Sequence, residues 1–113
     1  VLAAADHARA SDVHFEPTPR ALDIRFRVDG VLRTVAALPK EFAPNVVARL
    51  KVLADLLTYR LDVPQEGSFR PRPTDPPGAA DRRVSVFPTV HGEKAIVRLF
   101  DARAELLDLD ELG

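Results

Sequence analysis

The sequence has 113 residues, of which 46% are hydrophobic and 29% charged, the composition of one soluble globular domain. A net charge of −1 gives no electrostatic reason to expect nucleic acid or an anionic membrane surface as a partner. No apolar run approaches the roughly 18 residues of a membrane span, and no signal peptide is visible. The absence of Cys excludes disulfides and thiolate chemistry, and the absence of Met suggests a piece of a longer protein.

The first elements are a short helix and a strand. Residues 1–9 are rich in Ala and carry apolar residues along one helical face, which predicts a helix. Residues 13–16 alternate between apolar and polar, which predicts a strand that ends at Pro17.

A hairpin is predicted from the segment RFRVDGVLR, residues 25–33. The pair Asp29-Gly30 lies between two alternating runs, and Asp-Gly favours a type I′ turn because both central residues need positive φ. Asp29 is therefore interpreted as a turn former rather than a catalytic residue. The arginines Arg25 and Arg27 should share the face opposite the apolar one. A two-residue loop predicts three facing pairs: Val28 with Val31, Phe26 with Arg33, and Ile24 with Val35.

The strongest helical signal covers residues 42–57. Pro44 fits its first turn, where a missing N–H removes no hydrogen bond. We expect its apolar face to cover the apolar face of the hairpin. The apolar face of the helix consists of Val46, Val47, Leu50, Leu53, Ala54 and Leu57.

The remaining chain predicts three more strands and a loop. Five prolines and two glycines between residues 64 and 78 predict a turn, an edge strand near 68–72 and a mobile loop over 71–78. Strands are predicted at 82–87 and 94–100, separated by the turn His91-Gly92-Glu93. The acidic, Leu-rich end predicts a short helical turn and a connection. The fold class is α+β, an antiparallel sheet of about five strands with its main helix on one face.

The sequence contains no pattern typical of an active site. The only Gly followed by Glu-Lys, Gly92, lacks the rest of a Walker A motif. His14 and Glu16 share a strand face and could in principle ligate a metal with His91. A metal centre needs more ligands and a shaped cavity, so no metal is expected.

Four segments occur in a fixed order: SDVHFEP (11–17), RFRVDGVLR (25–33), ARLKVLADL (48–56) with PQEG (64–67), and RRVSVFPTVHGEKAIVRLFD (82–101). Together they resemble the secretion ATPases, the hexameric motors of type II secretion and type IV pilus assembly. The combination is specific although each piece alone is weak. The resemblance spans essentially the whole chain and implies the PAS-like N-terminal domain that directly precedes the RecA-like ATPase domain. It places this domain at residues 1–104 and the start of the linker at 105–113.

The resemblance also implies a role. The chain would be a regulatory and structural domain, not itself an enzyme, in a parent that binds ATP and Mg²⁺. Its partners would be its own ATPase domain, neighbouring subunits of the hexamer and platform proteins of the inner membrane. It would be cytoplasmic and peripheral at that membrane through partners, without insertion into the membrane and without nucleic acid.

The family also suggests which residues act. Arg25 and Arg27 match positions whose guanidinium groups reach the nucleotide phosphates across an interdomain cleft, where a permanent, forked charge is suited to phosphate. Lys40 would be a second basic contact. Arg33, which faces Phe26 in the predicted hairpin, would pack or form an interdomain salt bridge. Glu66, His91 and Glu93 would make turns or interdomain contacts.

One departure and one alternative accompany this interpretation. The PQDGR motif of the family is PQEGS here, so that Ser68 replaces an Arg, although Arg70 lies two residues on. The alternative function is a stand-alone PAS-like module that senses a small ligand or binds another protein.

Overall fold

The computed structural model describes residues 4–5, 8–69 and 82–99. They form a six-stranded antiparallel sheet with the strand order β3-β2-β1-β6-β5-β4. The α+β prediction is confirmed, with six strands rather than about five. A 3₁₀ turn at Lys40–Phe42 leads into the helix. The elements are β1 Asp12–Pro17, β2 Ala21–Val28, β3 Val31–Pro39, α1 Ala43–Leu53, β4 Gln65–Phe69, β5 Arg82–Thr89 and β6 Gly92–Arg98.

The β2–β3 hairpin forms as its turn sequence predicts. Asp29 and Gly30 have φ angles of 52° and 80°, the positive values of a type I′ turn. The two predicted pairs nearest the turn are present. The third is wrong, because Ile24 faces Ala36 instead of Val35. A β-bulge shifts the register here and leaves Val35 without a partner in the ladder.

The apolar face of the sheet and the helix share one core. Helix α1 packs mainly against β6 and β5, not over the hairpin as expected, which places it towards the other half of the sheet. Burial of the apolar side chains between them is the main force that holds the helix and the sheet together. The buried sheet residues are Val13, Phe15, Leu22, Ile24, Phe26, Val84, Val86, Ala95 and Val97, and they cluster with Val47, Leu50 and Ala54.

Helix α1 ends earlier than predicted. Asp55 adopts a left-handed conformation with φ of 59°, and the Leu56 N–H donates to the Lys51 carbonyl at 2.8 Å. This is the Schellman pattern that terminates a helix. The predicted end at residue 57 is therefore wrong, and two residues assigned to the buried face, Leu53 and Leu57, are exposed.

Strand β4 begins at Gln65, before its predicted start at residue 68, and passes close to the end of α1. A Cβ atom on Gly67 would lie 2.7 Å from the Ala54 carbonyl oxygen and 2.9 Å from Leu56 Cδ2. Only glycine fits this approach without a shift of the backbone, which explains the Gly of the PQEG segment.

Some predicted features lie outside the described residues. They are most of the helix at 1–9, of which Ala4 and Ala5 are helical, the loop at 71–78 and the linker at 105–113. Within the described part of the chain, no helix has the length and apolar character of a membrane span.

Candidate functional sites: a charged sheet face and a cleft

The sheet face opposite α1 is lined by alternating charged side chains and is called the charged face below. Strand pairing aligns them in rows, because residues directly opposite in a ladder lie on the same face. Asp12 faces Arg27 on β2 and Arg98 on β6, while His14 faces Arg25. The face thus places the two predicted phosphate contacts beside each other. It consists of Asp12, His14, Glu16, Asp23, Arg25, Arg27, Glu66, Arg83, Lys94 and Arg98.

Asp12 ties together three strands of the charged face. Its carboxylate lies 3.6 Å from Arg27 Nε and 3.2 Å from Arg98 Nε. The Ser11 hydroxyl donates to the same carboxylate at 3.1 Å. Arg27 also donates to the Gly30 carbonyl at 3.2 Å. These contacts hold the Arg27 guanidinium in place over the hairpin.

Arg25 is held more loosely. Its two terminal nitrogens lie 3.7 Å from Glu16 and 3.7 Å from Asp23, and its side chain is 35% exposed. Ion pairs of this length and exposure contribute little to stability, because water screens them. The guanidinium can therefore exchange a carboxylate for another anion at little cost.

His14 lies in the middle of the charged face and is only 9% exposed. Burial lowers its pKa below the usual 6.5, and the positive charge of Lys94 lowers it further. The imidazole is therefore neutral near pH 7. Its Nδ1 atom has no hydrogen-bond partner.

A cleft of about 780 Å³ lies on the helix side of the sheet, between the start of α1 and the β1–β2 and β5–β6 turns. Lys40 and His91 line it, together with Asn45 and Thr89. Arg25 and Arg27 do not, so the three predicted phosphate contacts fall into two separate places.

Beneath this cleft lies a buried ion pair. Lys51 is 1% exposed, its ammonium lies 2.7 Å from Glu93 Oε2, and it donates to the Arg60 carbonyl at 2.8 Å. Sequence reasoning missed Lys51. Its position four residues after the buried Val47, on the same helical face, was the available signal.

The PQEG segment fixes the loop that follows α1. The side chain of Gln65 accepts from the Leu57 N–H at 2.8 Å and donates to the carbonyls of Leu57 and Arg60 at 2.9 and 3.2 Å. The next residue, Glu66, pairs with Arg83 on the charged face, which lowers the pKa of the Glu66 carboxyl.

The four predicted interdomain contacts are therefore dispersed. Arg33 is exposed on the edge strand β3, Glu66 lies on the charged face, and His91 is exposed at the cleft. Glu93 lies under the cleft in its pair with Lys51. Interdomain contact stays a prediction for all four. Among the described residues, no group of three or more His, Cys, Asp or Glu side chains could hold a metal ion.

Comparison with known proteins assigns the family. The family model described as "Type II/IV secretion system protein" matches residues 1–113. The chain belongs to this family. The resemblance to the secretion ATPases is thus confirmed at the level of the superfamily.

Three relatives show the extent of the similarity. The chain is 45% identical over 92% of its length to "Type II secretion system ATPase E" of Vibrio cholerae, covering 20% of that protein. It is 38% identical over 92% of its length to "Type IV pilus assembly ATPase PilB" of Acinetobacter baylyi, covering 18% of it. It is 40% identical over its whole length to "Type II secretion system protein E" of Pseudomonas aeruginosa, covering 22% of it. The chain therefore spans about a fifth of the length of these relatives.

The family segments meet in the two places described. SDVHFEP and RFRVDGVLR supply Asp12, His14, Arg25 and Arg27 to the charged face. The helix segment and the segment around His91 supply Lys51 and Glu93 to the pair beneath the cleft. Each place thus joins segments that are distant in the chain.

Proposed function

We propose that this chain is a regulatory and structural domain of a hexameric motor ATPase of type II secretion or type IV pilus assembly. In the assembled motor, Arg25 and Arg27 contact the phosphates of nucleotide bound at the cleft between this domain and the ATPase domain. The observation that carries the proposal is their place side by side on one partly exposed sheet face, with carboxylates 3.6–3.7 Å away. A forked, permanent cation held in position stabilises charge that develops on a transferred phosphoryl group.

The rest of the site comes from the parent protein. The sequence contains no Walker A motif. In this proposal, ATP and Mg²⁺ bind to an ATPase domain of the parent protein. The partners are that domain, neighbouring subunits and platform proteins at the cytoplasmic side of the inner membrane. Lys40 is the second basic contact, and its position in the cleft allows it to be tested separately from the arginines. Arg33, Glu66, His91 and Glu93 contribute to interdomain contact.

The test is ATP turnover by the full-length protein. Arg25→Ala and Arg27→Ala should each lower kcat by about tenfold or more, because each removes one charged donor from the transferred phosphate. Arg83→Ala is the matched control, an arginine on the same face with its own carboxylate, Glu66. Normal turnover in both single variants and in the double variant would refute the proposal.

The cleft supports the second candidate function, a ligand-sensing module. Its volume of about 780 Å³ is that of a small-molecule site. Thermal unfolding of the chain with candidate ligands tests it, because a ligand of the folded state raises Tm with concentration. No concentration-dependent rise would eliminate this function.

A further inference from the structure

The loop that follows α1 exposes three large apolar side chains. Leu57, Tyr59 and Leu61, called the loop patch below, are 48%, 75% and 62% exposed. They lie within a stretch of five residues. Single exposed apolar side chains are ordinary, whereas a cluster of them is typical of a surface that contacts another molecule.

This loop is held in a fixed conformation. The Gln65 side chain bonds to the Leu57 N–H and to the carbonyls of Leu57 and Arg60, at 2.8, 2.9 and 3.2 Å. The buried Lys51 ammonium donates to the same Arg60 carbonyl at 2.8 Å. An apolar surface that is already ordered loses little conformational entropy when a partner binds, which favours association. The loop patch is therefore preorganised for contact.

A second apolar surface lies on the edge strand β3, which pairs only with β2. Val31 and Val35, called the edge patch below, are each 50% exposed. Between them lies Arg33, which is exposed and is the only charged residue of the strand. Within the described part of the chain, its guanidinium has no ion pair or hydrogen bond. The edge patch thus combines apolar surface with an uncompensated positive charge.

The two patches cannot contact each other within one molecule. β3 and β4 form opposite edges of the sheet, and Gln65, the first residue of β4, holds the loop patch at the β4 edge. Six strands leave five spacings of about 4.8 Å between the edges, a separation of about 24 Å. The patches are also complementary in charge. The loop has a net charge of −1, from Asp55, Arg60 and Asp62, whereas Arg33 gives the edge patch a charge of +1.

We propose that copies of this domain associate head to tail, with the loop patch of one copy against the edge patch of the next. Arg33 then lies beside the acidic loop of its neighbour, which supplies the counter-charge that Arg33 lacks. A contact between two different surfaces leaves one of each free, so it builds rings or open chains. A ring of subunits, as in the proposed hexamer, is one such product. The contact goes beyond the proposed function, because neither patch includes the charged face.

The contact should be weak in the isolated chain. Its apolar core, five partly exposed side chains, is small beside the about 800 Å² per partner that stable interfaces bury. We therefore expect a Kd of about 0.1–1 mM. In a parent ring, the remaining subunit contacts raise the effective concentration of the two patches and strengthen their association.

Sedimentation equilibrium of the chain from about 10 μM to 1 mM is the first experiment. The average mass should rise with concentration and exceed that of the monomer. Tyr59→Glu and Val35→Glu should each weaken association about tenfold or more, because each places a carboxylate in an apolar contact. Val90→Glu is the matched control, since Val90 is apolar, 93% exposed and outside both patches. A monomer at every concentration would overturn the proposal.

Mixing the two variants distinguishes a head-to-tail contact from a symmetric one. Each variant keeps one intact patch, so an equimolar mixture of Tyr59→Glu and Val35→Glu should form heterodimers and no larger species. Undiminished self-association of either variant alone would mean that like patches pair with each other, and would overturn the proposal. A mixture that stays monomeric would also overturn it. If Val35→Glu does not fold, Val31→Glu takes its place.

A charge variant tests the role of Arg33. Arg33→Glu should weaken association about tenfold, and added salt should weaken association of the wild type more than that of this variant. Arg49→Glu is the control, because Arg49 is exposed on α1 outside both patches. Equal losses in the two variants would reflect net charge alone and would contradict the pairing of Arg33 with the loop.

The contact and the proposed function can fail separately. Arg25→Ala should associate normally, since Arg25 lies on the charged face. If Arg25→Ala lowers ATP turnover of the full-length protein but the mixture of patch variants stays monomeric, the proposed function stands and the head-to-tail contact is refuted. If the mixture forms heterodimers while Arg25→Ala and Arg27→Ala leave turnover normal, the contact stands and the proposed function falls.

Discussion

The ion pairs of the charged face and the ion pair beneath the cleft differ in exposure and in distance. On the charged face, Arg25 is 35% exposed and lies 3.7 Å from each of two carboxylates. Under the cleft, Lys51 is 1% exposed and has a single carboxylate, Glu93, at 2.7 Å. Exposed pairs can exchange partners at little cost, whereas a buried pair cannot separate without leaving a charge in a medium of low dielectric. The first arrangement is suited to binding an anion and the second to fixing the fold.

The largest expected effect follows from breaking the buried pair. Lys51→Met should lower the free energy of unfolding by about 3–5 kcal/mol, because the Glu93 carboxylate is left buried without a counter-charge. Urea unfolding measures the change. The double variant Lys51→Met/Glu93→Leu is the control and should recover much of the loss. A loss below about 1 kcal/mol in the single variant would mean that this pair behaves like an exposed one.

The second effect concerns β4 where it passes the end of α1. Gly67→Ala should lower the free energy of unfolding by about 1–3 kcal/mol, because its Cβ overlaps the Ala54 carbonyl and the Leu56 side chain. Gly30→Asn, in the hairpin of the charged face, is the matched control. Nothing lies within 4 Å of a Cβ there, and Asn tolerates the left-handed conformation of the turn. Equal losses at the two glycines would show that backbone conformation, and not close approach, decides.

The charged face itself should contribute little to stability. Arg25→Ala should change the free energy of unfolding by less than about 1 kcal/mol, since its two carboxylates remain solvated when it is removed. Thermal unfolding of the variant beside Arg83→Ala checks this. A larger loss at Arg25 would mean that its ion pairs stabilise the fold, and the contrast between the two regions would disappear.

What could be predicted from the sequence is local. Alternation within a strand and the Asp-Gly turn place Arg25 and Arg27 on one face, opposite Phe26, and the structure has them there. The left-handed Asp55 that ends α1 also has a local signal, because Asp tolerates positive φ more readily than most residues. The helical spacing of Leu57 nevertheless favours a longer helix, which is why the predicted end lies at residue 57.

What could not be predicted depends on contacts between distant parts of the chain. Nothing in Val35 itself marks it as the bulged residue of β3. The burial of Lys51 depends on Glu93, which lies on β6, the third strand after the helix, and lysine is rarely buried without such a partner. The cleft exists only once the turns after β1 and β5 come together beside α1. The orphan nitrogen of His14 likewise depends on the pairing of β1 with β2.

The smallest expected effect is the pH dependence of stability caused by His14. Burial and Lys94 lower the pKa of folded His14 below the unfolded value of about 6.5. Between these two pKa values the unfolded chain binds more protons than the folded one. Stability therefore falls slightly as pH decreases from about 6.5 towards the lowered value.

Thermal unfolding of the wild type and of His14→Asn across this range isolates the effect, because the variant cannot bind the extra proton. The wild type should lose more stability than His14→Asn as pH falls from about 7 to 5. His91→Asn controls for the loss of an imidazole at an exposed position. Parallel curves for the wild type and His14→Asn would show that the pKa of His14 is the same in the folded and the unfolded chain.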